Sequence, residues 1–282
     1  FCVNIKLMII LLALVGLMFG SFVNALVWRI NQQSKKQKAR KLSKKDLSIT
    51  KGRSMCTHCH HNLAPKDLVP VLSWVSLKGR CRYCHKKIED TPLAELLTAV
   101  LFAGSYIWWP MEFDGAGVVN FVAWLVILIG FVALLLYDFK WLILPNRIVY
   151  PLIVISILLV LFNTVMADNP EAILKDVAIS VAVSAGLFWG LFVLSKGKWI
   201  GGGDVKLGLV IGLIIAVPIE AFLVIFLASL IGTVFAVPSL VTKRLKSTSH
   251  IPFGPYLIIA TVIVKLFGAS LVEWYKSKFL LY

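Results

Sequence analysis

Apolar residues are gathered along this chain into eight blocks, at about 7–28, 93–109, 117–137, 148–167, 172–194, 205–217, 219–241 and 255–273. Most reach the ~20 residues that a helix needs to cross the hydrocarbon of a bilayer. The pattern therefore predicts an all-α polytopic membrane protein with about eight transmembrane helices. Block 205–217 is the exception, being short and closed by Pro218. Such a helix needs a locally thinned membrane or a start inside a protein-lined recess. A polar insertion separates the first two blocks and divides the chain into three zones: a leading helix (1–30), an insertion (31–91) and a seven-helix block (92–282). No internal repeat is visible in the sequence.

Composition agrees with the pattern. Of 282 residues 59% are hydrophobic and mean hydropathy is +0.86, which excludes an ordinary soluble domain, because such a domain needs a polar exterior. The first block reads as a retained helix rather than a removable signal peptide: its apolar run is long, Lys6 is its only leading charge, and no A-x-A site follows. Orientation follows from the basic residues, since short loops rich in Lys and Arg stay on the cytoplasmic side. The 30–91 loop carries fifteen of them against Asp46, Asp67, Glu89 and Asp90. Alternating from there, 138–147, 196–204 and 242–254 fall inside and are basic, whereas 110–116, 168–171 and 218–220 fall outside and contain no Lys or Arg. Only Lys276 and Lys278 strain the scheme. The net charge of +15 is thus mostly an orientation signal plus one basic loop suited to anionic headgroups of the lipid bilayer. No helix-turn-helix or RNA module accompanies it, so no nucleic-acid partner is expected.

Within the insertion, residues 32–51 are Lys-rich and poor in aromatics, the composition of a flexible tether. The character then changes. Cys56-Thr57-His58-Cys59 and Cys81-Arg82-Tyr83-Cys84 form two CxxC knuckles at zinc-ribbon separation. Each knuckle presents two thiolates to one point, and four thiolates close a tetrahedral shell, so the zinc expected on Cys56, Cys59, Cys81 and Cys84 is structural. Two disulfides are the competing reading, disfavoured by a reducing cytosol. His58, His60, His61 and His85 are expected on the solvated surface, and Cys2 is left without a chemical role.

Ionisable residues at membrane depth are costly and mark candidate sites. Lys175, Asp176, Glu220, Lys265 and Glu273 can snorkel or stay wet. Glu95 opens the second helix, where a carboxylate suits the dipole. Asp138 and Asp204 stand apart. Asp138 ends the third helix in Leu136-Tyr137-Asp138, and Asp204 opens the short sixth helix after Gly201, Gly202 and Gly203. Both fall on the cytoplasmic side at nearly the same depth. Three glycines remove bulk and widen backbone freedom, allowing close approach to another backbone, including that of a bound peptide. Two carboxylates at one depth suit aspartyl hydrolysis, one activating water and the other, protonated, polarising the scissile carbonyl. A shared proton is expected, since like charges a few ångströms apart cannot both ionise. The bland alternative for each is a helix cap or interface anchor, and Lys140 and Lys206 read as interface anchors. The glycine run lacks the GKS or GKT ending of a P-loop.

These residues resemble the type IV prepilin peptidase family. Gly201-Gly202-Gly203-Asp204-Val205-Lys206 is similar to its GxGDxK motif, and Asp138 occupies the place of its other aspartate. Gly20-Ser21-Phe22-Val23-Asn24 with Arg29 resembles its GSFxN start, and the twin CxxC loop, Glu95-Leu96-Leu97-Thr98-Ala99 and Pro252-Phe253-Gly254-Pro255-Tyr256 resemble further blocks. Ile30-Asn31 and Leu144 depart slightly from the family pattern. The resemblance implies an aspartic endopeptidase of the bacterial inner membrane with Asp138 and Asp204 catalytic, removing basic leaders from prepilins and pseudopilins at the cytoplasmic edge. It also implies S-adenosylmethionine-dependent N-methylation of the new N-terminus, with Gly20, Asn24 and Glu95 as binding candidates by motif position only. Their other roles are helix packing, hydrogen bonding and capping. No Rossmann-type loop is present to place that cofactor. Rival readings are another GxGD intramembrane protease, which leaves the CxxC insertion unexplained, an ion- or proton-coupled transporter, which usually shows related halves, and a zinc-loop scaffold.

Overall fold

The structure is a computed structural model that describes residues 5–34, 43, 45–88, 91–241 and 252–279. Cys2, residues 35–42 and 44 of the Lys-rich tether and most of the basic loop at 242–254 lie outside the described residues. Among the described residues the chain is helical and contains no strand. The helices are α1 (Ile5–Ser34), α2 (Leu72–Ser76), α3 (Leu93–Ile107), α4 (Gly115–Trp141), α5 (Asn146–Met166), α6 (Pro170–Val181), α7 (Leu187–Leu194), α8 (Gly202–Ile215), α9 (Pro218–Val241) and α10 (Gly254–Phe279). One wide turn, Ala182–Gly186, joins α6 to α7 without a break, so Pro170–Leu194 runs as a single span.

Among the described residues, six helices are long and apolar enough to cross a membrane: α1, α4, α5, the α6–α7 span, α9 and α10. The remaining two of the eight predicted blocks are α3 with 15 residues and α8 with 14, only ~21–22 Å long at 1.5 Å per residue. Exposed Ile, Leu, Val and Phe along the long helices, such as Ile10, Leu14, Val154, Leu161, Phe222 and Phe226, provide the apolar exterior that lipid requires.

The chain divides into two compact units, residues 1–107 and 108–282. Hydropathy alone places α3 with the later helices, but packing groups it with α1. The reason lies in Gly16 and Gly20, one turn apart on α1. A Cβ on Gly16 would stand 2.6 Å from Ala99 Cα, and one on Gly20 would collide with the Glu95 backbone. Small residues at this spacing let two helix backbones touch, the usual device for helix association in lipid. Val23 and Val27 on α1 and Phe102 on α3 are buried.

Arg29 then folds the insertion onto α1. Its guanidinium donates to Ile49 O at 3.2 Å and Gly52 O at 3.0 Å, Gln33 Nε2 donates to Leu47 O at 2.6 Å, and Leu47 is 1% exposed. The described end of the expected tether is therefore docked. Arg29 and Gln33 reach it because three carbonyls in a short loop are acceptors that a polar composition does not reveal.

In the second unit α4 is the core helix, with Trp124, Ile127, Leu128, Phe131 and Leu134 at most 1% exposed. Asn120 and Asn163 exchange side-chain hydrogen bonds at 2.8 and 3.0 Å, tying α4 to α5 by polar groups that satisfy each other in an apolar setting. The short helix α8 is held as closely. A Cβ on Gly212 would stand 2.6 Å from Val181 Cα, and one on Gly208 would stand 2.9 Å from Phe188. Between them Ser184 Oγ shares its proton between Ser180 O at 2.7 Å and Gly208 O at 2.9 Å. The wide turn carries Ser184, so this irregularity serves the seating of α8, as such turns often serve functional elements.

Candidate active site

Asp138 lies in the last turn of α4. Leu142 follows with φ 54°, a left-handed cap whose N–H donates to Asp138 O at 2.8 Å, and Pro145 starts α5 one short loop later. Asp204 lies in the first turn of α8. Both carboxylates line one cavity of about 750 Å³ in the second unit, together with the apolar side chains Leu142, Ile143, Leu144, Phe188, Ile225 and Phe253. Asp138 is 5% exposed, and Asp204 is half-buried.

Leu144 and two glycines shape the wall of this cavity. A Cβ on Gly203 would stand 2.9 Å from Leu144 Cβ, and one on Gly254 would stand 2.7 Å from Asp138 Oδ2 and 3.4 Å from Leu144 Cδ2. The neighbour of Asp204, the chain after Asp138 and the start of α10 therefore converge on one leucine. The glycine run acts by lack of bulk at Gly203. Unusual backbone angles play no part in its cap, since Gly201 has φ −76° and the positive-φ glycines among the described residues are Gly79 and Gly197. Gly201 and Gly202 stay open, with no foreign backbone within 4 Å of their Cβ positions.

Lys206 departs from the expected interface anchor. Its Nζ donates to Asn146 Oδ1 at 2.7 Å and stands 5.2 Å over the Tyr150 ring. The first turn of α8 is thereby tied to the first turn of α5. A spacing of two after Asp204 turns Lys206 away from the carboxylate, which is why sequence reasoning gave it no partner.

The four cysteines of the insertion meet. Their Sγ atoms all lie within 4.8 Å of one another, and Cys56 and Cys84 are 3.9 Å apart. Tetrahedral Zn–S bonds of ~2.3 Å require sulfurs ~3.8 Å apart, and a disulfide requires ~2.05 Å. The donor set fits a zinc ion and not a pair of disulfides. The two knuckles repeat each other bond for bond: His60 N–H donates to Cys56 O and Cys56 N–H to His61 O, as His85 N–H donates to Cys81 O and Cys81 N–H to Lys86 O. His60 and His85 hold the matching left-handed positions, φ 58° and 56°. This local duplication is invisible as sequence identity because only the cysteines and one histidine coincide. The N–H groups of His58 and Tyr83 each point to a knuckle sulfur at 3.4 Å. Burial pushes the Cys56 thiol up. Burial also opposes ionisation of Cys81, but the backbone N–H groups of Cys84 and Tyr83 and the thiols of Cys56 and Cys84 together outweigh it and bring that thiol down. Asp67 clamps the second knuckle, accepting from Arg82 Nε at 2.7 Å and Tyr83 Oη at 3.1 Å.

The other motif residues also lie in the first unit. Asn24 and Glu95 line a cavity with Trp28, Arg53 and Trp74. Glu95 accepts from the Val71 N–H at 2.5 Å. Gly20 sits in the α1–α3 seam, outside that lining. Sequence reasoning missed Gly254 and Arg29 as architectural residues, although both stand in blocks it had picked out.

Comparison with known proteins places the chain in a family. Residues 14–109 match the bacterial peptidase A24 N-terminal domain, and residues 125–237 match the type IV leader peptidase family. The prepilin leader peptidase/N-methyltransferase of Aeromonas salmonicida is 32% identical over 96% of this chain and 94% of its own length. The protein of the same description from Pseudomonas aeruginosa is 32% identical over 93% and 91%, and that of Bacillus subtilis 29% over 95% and 98%. No solved structure matches the chain. With relatives this similar along nearly their whole length, the chain belongs to the type IV leader peptidase family.

Proposed function

We propose that this protein is a membrane aspartic endopeptidase that removes the leader peptide of type IV prepilins and pseudopilins, with Asp138 and Asp204 as its catalytic pair, and that it methylates the new N-terminus. The observation that carries the proposal is the meeting of two carboxylates, 66 positions apart in the chain, in one cavity with apolar walls. The apolar side accommodates the start of a substrate's hydrophobic helix, and the acidic floor meets the peptide bond before it.

In this reading the pair holds one proton. The ionised carboxylate takes a proton from water as its oxygen attacks the scissile carbonyl carbon, and the protonated one donates to the carbonyl oxygen. After the attack each carboxylate is in the other's starting state. Collapse of the tetrahedral intermediate breaks the C–N bond as the first carboxyl gives its new proton to the departing amine, and reforms the carbonyl as a hydroxyl of the intermediate returns a proton to the second, so the pair is restored with water consumed and no other reactant. The basic residues of 138–147 support a cytoplasmic orientation for this end of the second unit, in the inner membrane of a bacterium.

The four cysteines hold a structural zinc in this account, leaving no open position for chemistry. For methylation, bound S-adenosylmethionine supplies the methyl group to the amine. The cavity of the first unit has suitable groups: the Glu95 carboxylate for a sulfonium, the Trp28 and Trp74 indoles for a purine, and the Arg53 guanidinium for a carboxylate. Trp74 Nε1 is buried with no hydrogen-bond partner among the described residues, leaving a donor for a bound acceptor. Direct titration of S-adenosylmethionine against the purified protein and Glu95→Gln tests this part separately from catalysis.

The test of the main reading is incubation of purified protein with a leader-bearing prepilin, following product mass. Loss of the leader mass at the junction with the hydrophobic helix is expected. Cleavage inside the helix would favour another GxGD protease, and substrate-driven ion flux without cleavage would favour a transporter.

A further inference from the structure

The helix that begins with Asp204 is held at its far end by a lysine. α8 stops at Ile215 after ~21 Å, so its last carbonyls face a depth at which water is scarce and unpaired backbone groups are costly. Ala216 turns the chain with φ 55° and donates its N–H to Gly212 O. The Ile214 carbonyl accepts instead from Lys265 Nζ at 3.0 Å. Lys265 sits well inside α10, between Val264 and Leu266. Beyond the expectation that it snorkels or stays wet, the structure gives its ammonium a backbone acceptor on another helix. Glu220, in the first turn of α9, lies beside it: a Cβ on Gly268, one turn beyond Lys265, would stand 3.1 Å from Glu220 Cδ. A cation at a helix C-terminus is favourable, and a carboxylate nearby offsets its burial.

Along its length α8 is thus tied at three levels: Lys206 to Asn146, Ser184 to Gly208, and Lys265 to Ile214. The first two fix its rotation and contact face. Of the three, the last is the one that grips its trailing end, beyond the close packing of Gly212 on Val181. We infer that Lys265 is a positioning residue that sets the depth of α8, and through it the place of Asp204 in the shared cavity. The inference rests on the reading of Asp204 as catalytic.

The experiment is steady-state cleavage of a leader-bearing prepilin by Lys265→Met, Lys265→Gln and the double variant Glu220→Gln/Lys265→Met, with the native chain and Asp204→Asn in parallel and melting temperatures recorded. Lys265→Met is expected to lose about tenfold or more in kcat with KM within about twofold, the signature of misplaced chemistry rather than lost binding. Lys265→Gln keeps an N–H donor and should retain most activity, and the double variant should stay impaired. Native kcat in Lys265→Met, or recovery in the double variant, would overturn the inference, the latter by showing that Lys265 only neutralises Glu220. If Lys265→Met does not fold, Lys265→Gln decides: retained kcat supports the role, and a tenfold loss at native melting temperature refutes it. Inactivity of the native chain would instead defeat the proposed function.

Discussion

Gly254 lies directly against Asp138, so that a methyl group at residue 254 would stand 2.7 Å from Asp138 Oδ2. The obstructing atom is the tip of a side chain, not backbone. Gly254→Ala therefore threatens the carboxylate's position more than the fold. It is expected to lower kcat by about tenfold or more while the melting temperature moves by only a few degrees, about 1 kcal/mol or less. A combined activity and thermal-melt measurement checks this, and equal loss in both would contradict it.

Gly212 presents the opposite case. Its Cβ would meet Val181 Cα at 2.6 Å, and Val181 belongs to a neighbouring helix that cannot yield locally. Gly212→Leu should force α8 off the wide turn and destabilise the protein by about 2–3 kcal/mol. Denaturation of the purified variant in detergent would register the change, and native stability would argue against the seating described for α8.

The cysteine cluster should behave as a staple for its own unit. Metal analysis is expected to find zinc in the native chain and to lose it in Cys81→Ser, with a fall in melting temperature of about 5 °C or more. Chelation should lower thermal stability more than it lowers cleavage. Cleavage lost in proportion to zinc at a temperature where the chain stays folded would instead make the metal catalytic.

Activity should follow a bell in pH. If the pair works with one proton, protonation of the second carboxylate stops water activation on the acid side, and loss of the shared proton stops carbonyl polarisation on the alkaline side. The profile of kcat/KM for native protein measures both limbs. A single acid limb with a level plateau extending above pH ~10, far beyond ordinary carboxylate values, would mean that no carboxylic acid donates a proton.

Much of this was readable before any coordinates. Long apolar blocks gave the helical membrane class, and tyrosine–aspartate and triple-glycine–aspartate segments at matching depth singled out Asp138 and Asp204. The twin CxxC spacing singled out the four cysteines. What stayed hidden depends on neighbours across helices. Gly254 owes its role to an aspartate on another helix, Lys265 to a carbonyl on α8, and Lys206 to Asn146. Depth and periodicity place residues along the membrane normal but do not say which faces meet. The grouping of α3 with α1 was hidden likewise, because hydropathy sees length while Gly16 and Gly20 act by absence of bulk.

The central claim is that Asp138 and Asp204 act together on one peptide bond. Its most direct measurement is the product mass from a leader-bearing prepilin treated with Asp138→Asn and with Asp204→Asn, each shown to be folded by thermal melting. The expected result is full leader removal by the native chain and a fall of about 10³-fold or more in each variant. Near-native cleavage by either folded variant would contradict the account.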